Sequence, residues 1–163
     1  MKTKRAAILV VALATLCIAS AIGLVSAYYG TSATFYAFGS GSCINISGIV
    51  GSAPNGAYAT ISGSGSGTGG QIQVPISGTV AAGNKAKVYC YGSGVNEFYM
   101  YVRQAGTSNW NNQILATTTF PSTAQWITSN TAATVNFDGV VVAVLRTSSG
   151  SLSANFDCIV APP

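Results

Sequence analysis

Residues 28–163 predict an all-β, antiparallel two-sheet sandwich, and residues 1–27 a hydrophobic signal helix ahead of it. Three observations carry this expectation. Apolar residues after Tyr28 recur with a period of two, turn residues separate the short runs, and no segment sustains a helical stripe.

The chain has 163 residues, enough for one domain. Lys2, Lys4 and Arg5 form a basic start to an apolar run of 20 residues, from Ala6 to Val25. The run closes on Val25-Ser26-Ala27, small residues at the spacing a signal peptidase reads, so cleavage is expected between Ala27 and Tyr28. Twenty apolar residues can also cross a bilayer, and a retained anchor is the alternative. In either case the basic flank places everything after Tyr28 outside the cell, secreted or at its surface, and membrane contact is expected only through an uncleaved export segment.

The expected strands run in order through the remainder. They begin at residues 31–38, 43–50 and 57–62, with Pro54-Asn55-Gly56 as a turn. Residues 63–70 read as a flexible Gly/Ser connector. Their formal G-x-G-x-x-G leads into a strand pattern, whereas a phosphate cradle needs a helix there. In residues 71–77, Ile72, Val74 and Ile76 alternate with Gln71, Gln73 and Pro75, and the proline predicts an edge strand. Strands follow at 85–91, 96–103 and 113–120. Asp138-Gly139 reads as a tight hairpin between 134–137 and 140–145, the latter apolar on both faces and therefore central. A strand at 152–160 ends the domain.

Charge and missing chemistry narrow the function. Beyond the export segment Lys85, Lys87, Arg103 and Arg146 stand against Glu97, Asp138 and Asp157. Four cations against three carboxylates cannot track a phosphate backbone, so nucleic acid is not an expected partner. There is no histidine, which removes the usual general base and the commonest zinc ligand. A glycosidase needs two carboxylates about one bond. Asp138 is expected in a turn and Glu97 in a cross-strand pair with the Lys85/Lys87 surface. No acidic cluster offers calcium its oxygens. Catalytic, cofactor and metal sites are therefore all expected to be absent, and the chain reads as a non-enzyme. A nearly uncharged surface rich in Ser, Thr, Asn and Gly suits self-assembly or a sugar coat.

Cys43, Cys90 and Cys158 lie beyond the export segment, and an oxidising compartment favours one disulfide among them. Cys90 and Cys158 fall at inward strand positions and are paired on that ground. Cys43 is then free, a small buried hydrophobe, or bonded to another subunit. Asn45-Ile46-Ser47 makes Asn45 a candidate glycosylation acceptor.

From Gln71 onward the chain resembles an immunoglobulin variable-type domain. Gln71-Ile72-Gln73-Val74 is similar to its first strand, and Lys87-Val88-Tyr89-Cys90 to its second. Tyr99-Met100-Tyr101-Val102-Arg103-Gln104 is similar to its third, with Tyr101 near the place of the family's tryptophan. The resemblance covers some 40 residues and implies two sheets joined through a core Cys90–Cys158 bridge. The chain ends at Pro163, before the family's last strand, and carries an additional extended segment at 28–40. In that respect it resembles filament subunits, including archaeal thread and pilus types, that assemble by donor-strand complementation.

The leading expectation is a secreted structural subunit that polymerises with copies of itself. Residues 28–40 would be the donor strand, with Thr31, Thr34, Phe35, Tyr36 and Phe38 filling a groove in the next copy, and 41–163 the sandwich. The first alternative is a self-contained adhesin or carbohydrate-binding sandwich whose partner is a glycan or cell surface. Tyr89, Tyr91, Tyr99, Tyr101, Trp110 and Trp126 would stack on sugar rings there, or pack across strands. The second alternative is a type IV-like pilin that keeps its N-terminal helix.

Overall fold

The structure, a computed structural model, describes residues 27–110, 113–117 and 119–162. The expected export segment, up to residue 26, lies outside them. Eleven strands form two antiparallel sheets. The chain begins with β1 (Tyr28–Tyr29), β2 (Thr34–Phe38) and β3 (Ser42–Ile44), followed by a 3-10 turn at Ile46–Ile49. Then come β4 (Ala59–Ser64), β5 (Thr68–Val80), β6 (Lys87–Ser93) and β7 (Glu97–Gln104). The last four are β8 (Gln113–Thr117), β9 (Gln125–Thr128), β10 (Phe137–Arg146) and β11 (Ser151–Ala161).

One sheet has the order β3-β4-β11-β6-β9, with β1 also paired to β11, and the other β2-β5-β10-β7-β8. Strands β4 to β11 thus follow the order of a jelly roll, switching sheets at every step except the β7–β8 pair. The period-two pattern explains the core. Ile72, Val74, Phe98, Met100, Val102, Val140, Val142 and Val144 point inward from one sheet. Ile61, Val88, Cys90, Ala154, Phe156 and Ile159 meet them from the other. Phe120 seals one side, with its ring centroid 5.2 Å from Phe98 and 5.6 Å from Phe156.

Several expectations change. The immunoglobulin resemblance holds for the two-sheet architecture but not for the connectivity, because β6 and β11, which carry Cys90 and Cys158, are neighbours in one sheet. A register shift between Phe156 and Cys158 breaks the alternation. Cys90 therefore faces the core opposite Phe156, while Cys158 pairs with Tyr89 on the outer face. All three described cysteines are free thiols, so the expected bridge is absent.

The expected donor arm is part of its own domain. Thr34, Phe35, Tyr36 and Phe38 pair along β5, and Tyr28 and Tyr29 along β11. Thr31 donates its amide to Pro75 O at 2.9 Å. Residues 28–40 complete the sheet edges from within, which satisfies the backbone groups an isolated strand would leave open.

The β5 strand is an interior one, between β2 and β10, despite Pro75. Pro75 lies opposite Gly139, beside the register shift between Phe137 and Gly139, where the ladder is already interrupted. Asp138-Gly139 is thus a bulge within β10 and not a hairpin turn. The Gly/Ser connector is a pinned corner between sheets, with Gly65 N bonded to Gly150 O at 2.8 Å and Gly67 N to Arg146 O at 2.7 Å. The strand expected at 43–50 gives way to the 3-10 turn after Asn45, whose φ is 50°.

Candidate functional site

On the outer face of the five-stranded sheet side-chain size describes a shallow trough, small along the middle strand and larger on either side. Its central strand β10 contributes Gly139, Val141 and Ala143 to this face, all small and buried. Their pairing partners are taller. Ala143 stands between Gln71 and Tyr99, and Tyr36 extends that row beyond Gln71. Val141 stands between Gln73 and Tyr101, with Thr34 beyond Gln73. At normal strand spacing β5 and β7 are about 10 Å apart, and their side chains cover the row between them, leaving Val141 at 0% and Ala143 at 4% exposure.

The walls differ in chemistry. Tyr99 and Tyr101 form an aromatic wall, their rings stacked with centroids 6.0 Å apart at 28°. Gln71 and Gln73 supply amide donors and acceptors opposite, and Tyr36 is 48% exposed at the rim. The Tyr99 hydroxyl donates to Glu97 Oε2 at 2.7 Å. That bond, followed by burial and the nearby carboxylate charge, holds the Tyr99 hydroxyl above its ordinary value. Burial, then the Glu97 charge, raises Tyr101 likewise.

One end of the trough is closed by a stacked pair. Arg103 lies 4.3 Å from the centroid of the Trp110 ring, and its Nε donates to Asp138 Oδ1 at 2.6 Å. A Cβ on Gly139 would lie 2.6 Å from Trp110 Cζ3, so only glycine lets the indole lie over the bulge. Near the other end, Glu97 and Tyr99 border an open pocket of about 560 Å³ that also takes in Asn96, Thr119 and Phe120.

Of the six aromatics expected on the surface, Tyr99, Tyr101 and Trp110 gather at this trough. Tyr89, Tyr91 and Trp126 belong to the opposite sheet, where Tyr91 packs edge-on against Tyr58 with centroids 5.2 Å apart. Tyr36, expected in a donor strand, joins the trough instead. Gln71 and Gln73 join it too, although sequence reasoning assigns them no role; their outward positions in the alternation are the signal that points to them. Glu97 does not face the lysines: Lys87 opens β6 in the other sheet, and Lys85 lies just ahead of it. Asn45 is exposed, with its side-chain amide donating to Tyr58 O at 3.0 Å.

No known protein family and no curated protein matches this chain. Solved structures similar to it include carbohydrate-binding modules. The low-affinity xylan-binding module CBM86 from Roseburia intestinalis is 9% identical, with a TM-score of 0.48, covering 80% of this chain and 95% of that one. A family 29 carbohydrate-binding module is 12% identical, with a TM-score of 0.48 over 80% of this chain and 90% of that one. The glycoside hydrolase domain of Endo-D from Streptococcus pneumoniae R6 is 12% identical, with a TM-score of 0.49, and the match spans 80% of this chain and 21% of that one.

Proposed function

We propose that this chain is a non-catalytic glycan-binding sandwich that works outside the cell, exported through residues 1–27. A neutral polysaccharide would lie along the open face of the five-stranded sheet. The carrying observation is the surface of this face: the stacked Tyr99 and Tyr101 rings with Gln71 and Gln73 opposite, across a covered row of small residues. Aromatic faces accept the C–H faces of a pyranose, and amides exchange hydrogen bonds with its hydroxyls. A trough open along its length suits a chain lying across the sheet rather than a small molecule that is enclosed.

Affinity electrophoresis against a panel of soluble neutral polysaccharides tests the reading. At least one should retard the wild-type protein, and the double variant Tyr99→Ala/Tyr101→Ala should bind it at least tenfold more weakly while keeping its melting temperature within a few degrees. Retardation of wild type by none of the panel, or equal binding by the double variant, would overturn it.

A further inference from the structure

The outer face of the six-stranded sheet carries a different arrangement. Tyr89 and Trp126 pair across β6 and β9, their rings edge-to-face with centroids 5.5 Å apart at 70°, and Trp126 is 39% exposed. The next outward pair along the same two strands is Lys87 and Thr128. Lys85 and Lys87 both reach a pocket of about 520 Å³, lined further by Asn84, Thr128 and Val160 and bordered by Ala27, whose removal on export would open that side. An aromatic face and a basic pocket therefore adjoin.

The other charged side chains among the described residues are already engaged. Glu97 accepts from Tyr99, Asp138 from Arg103, and Asp157 from the amides of Asn55 and Gly56. Arg146 is bound to the carbonyls of Gly94 and Ser149. Among the described residues, Lys85 and Lys87 are the two cations left without a protein partner, both exposed, with Lys87 opening β6 and Lys85 two residues ahead of it. Both side chains line the same pocket, so one bound anion can be shared between them. The pocket is larger than a bare oxyanion needs, with Asn84 and Thr128 as polar groups beside the lysines and Val160, Ala161 and Pro162 as an apolar side.

We propose that this is a second binding site, specific for an acidic saccharide. A sugar ring rests against the exposed indole of Trp126, and its carboxylate or sulfate ester is held between Lys85 and Lys87, with the Thr128 hydroxyl beside them. The site is on the sheet opposite the trough, so the two act independently.

Calorimetric titration of the exported protein with trigalacturonic acid, and separately with a sulfated dextran oligomer, tests this. The fully methyl-esterified galacturonate and plain dextran serve as uncharged controls. At least one acidic saccharide should bind, its control at least tenfold more weakly. Lys85→Gln/Lys87→Gln should lose at least tenfold in affinity, Trp126→Ala several-fold, and rising salt should weaken the wild type. Tyr99→Ala/Tyr101→Ala should leave this binding unchanged, which separates the site from the trough. Four results would overturn the proposal: no binding by either acidic saccharide, equal binding by the lysine variant, inorganic sulfate binding as tightly as the saccharide, or lysine-dependent binding to phosphatidylglycerol vesicles that exceeds both.

Discussion

Phe35 in β2 lies over Gly70 in β5, so close that a Cβ on Gly70 would come within 2.3 Å of Phe35 Cε2. The contact joins the N-terminal arm to the sheet it borders. Phe35 packs against the core of its own chain, and the bare backbone of Gly70 is what admits it. An edge strand fitted this closely has no vacancy to offer a neighbouring copy.

Gly70→Ala should therefore destabilise the domain by about 1–3 kcal/mol, the usual cost of overpacking. The cost should shrink sharply in a Phe35→Ala background, because the clashing ring is gone. Urea unfolding of the two single variants and the double variant measures this coupling. Additive costs would show that the arm is not seated on Gly70.

Asp157 should matter far beyond its neighbours in sequence. It is 1% exposed, and its carboxylate accepts the amides of Asn55 at 3.0 Å and Gly56 at 2.8 Å. It thereby ties the turn before β4 to the bulge of β11. Hydrogen bonds to a charged group contribute about 1.5–3 kcal/mol, and Asp157→Ala should lower stability by about that amount. Amide exchange at Asn55 and Gly56 should accelerate in the variant. Unchanged protection at both would show that the carboxylate does not hold the turn.

Local alternation is what made the sandwich legible. Outward and inward residues of β6, β7 and β11 can be sorted from a few neighbours, because the side-chain period of a strand is two. Partners distant in sequence are not legible that way. Asp138-Gly139 can form a turn or a bulge, and the choice is made by Arg103 and Trp110, which occupy the space around it. The spare strand in front of the domain suggested an intermolecular role because a count of strands does not say which edge is open. The trough was half visible: Tyr99 and Tyr101 point outward by alternation. Tyr36 and Gln71 join them only through a register that runs across β2, β5, β10 and β7. The one-residue slip between Phe156 and Cys158 separates the two thiols, and no sequence pattern announces it.

The thiols give a test that depends on pH. Burial pushes the Cys90 thiol from 9.0 up to about 12, and burial with the Asp157 charge does the same to Cys158. A thiol whose folded value is raised favours the folded state fully below its unfolded value and loses that contribution as pH climbs. Stability should hold up to about pH 9 and decline between 9 and 12. Cys90→Ala should flatten part of that decline, as seen in urea midpoints across the range. At pH 8 only the half-buried Cys43 of these three should react with a thiol reagent before unfolding, and all three afterwards. A reacted count of one in denaturant would restore a disulfide.

The trough can be probed one atom at a time at Tyr99. If its ring face carries binding, Tyr99→Phe should keep the affinity for a bound neutral polysaccharide within about threefold, and Tyr99→Ala should lose roughly tenfold, near 1.4 kcal/mol. The Glu97 bond holds the hydroxyl above its usual value of 10.0, so it remains a protonated donor throughout the neutral range. Binding should then be level from neutral pH to about 10 and fall only above it. Glu97→Gln weakens the acceptor and removes the charge, which should bring that alkaline fall to lower pH while leaving neutral affinity nearly intact. A Tyr99→Phe variant as weak as Tyr99→Ala would transfer the role from the ring to the hydroxyl. An alkaline limb that does not move in Glu97→Gln would show that Tyr99 is not the group titrating.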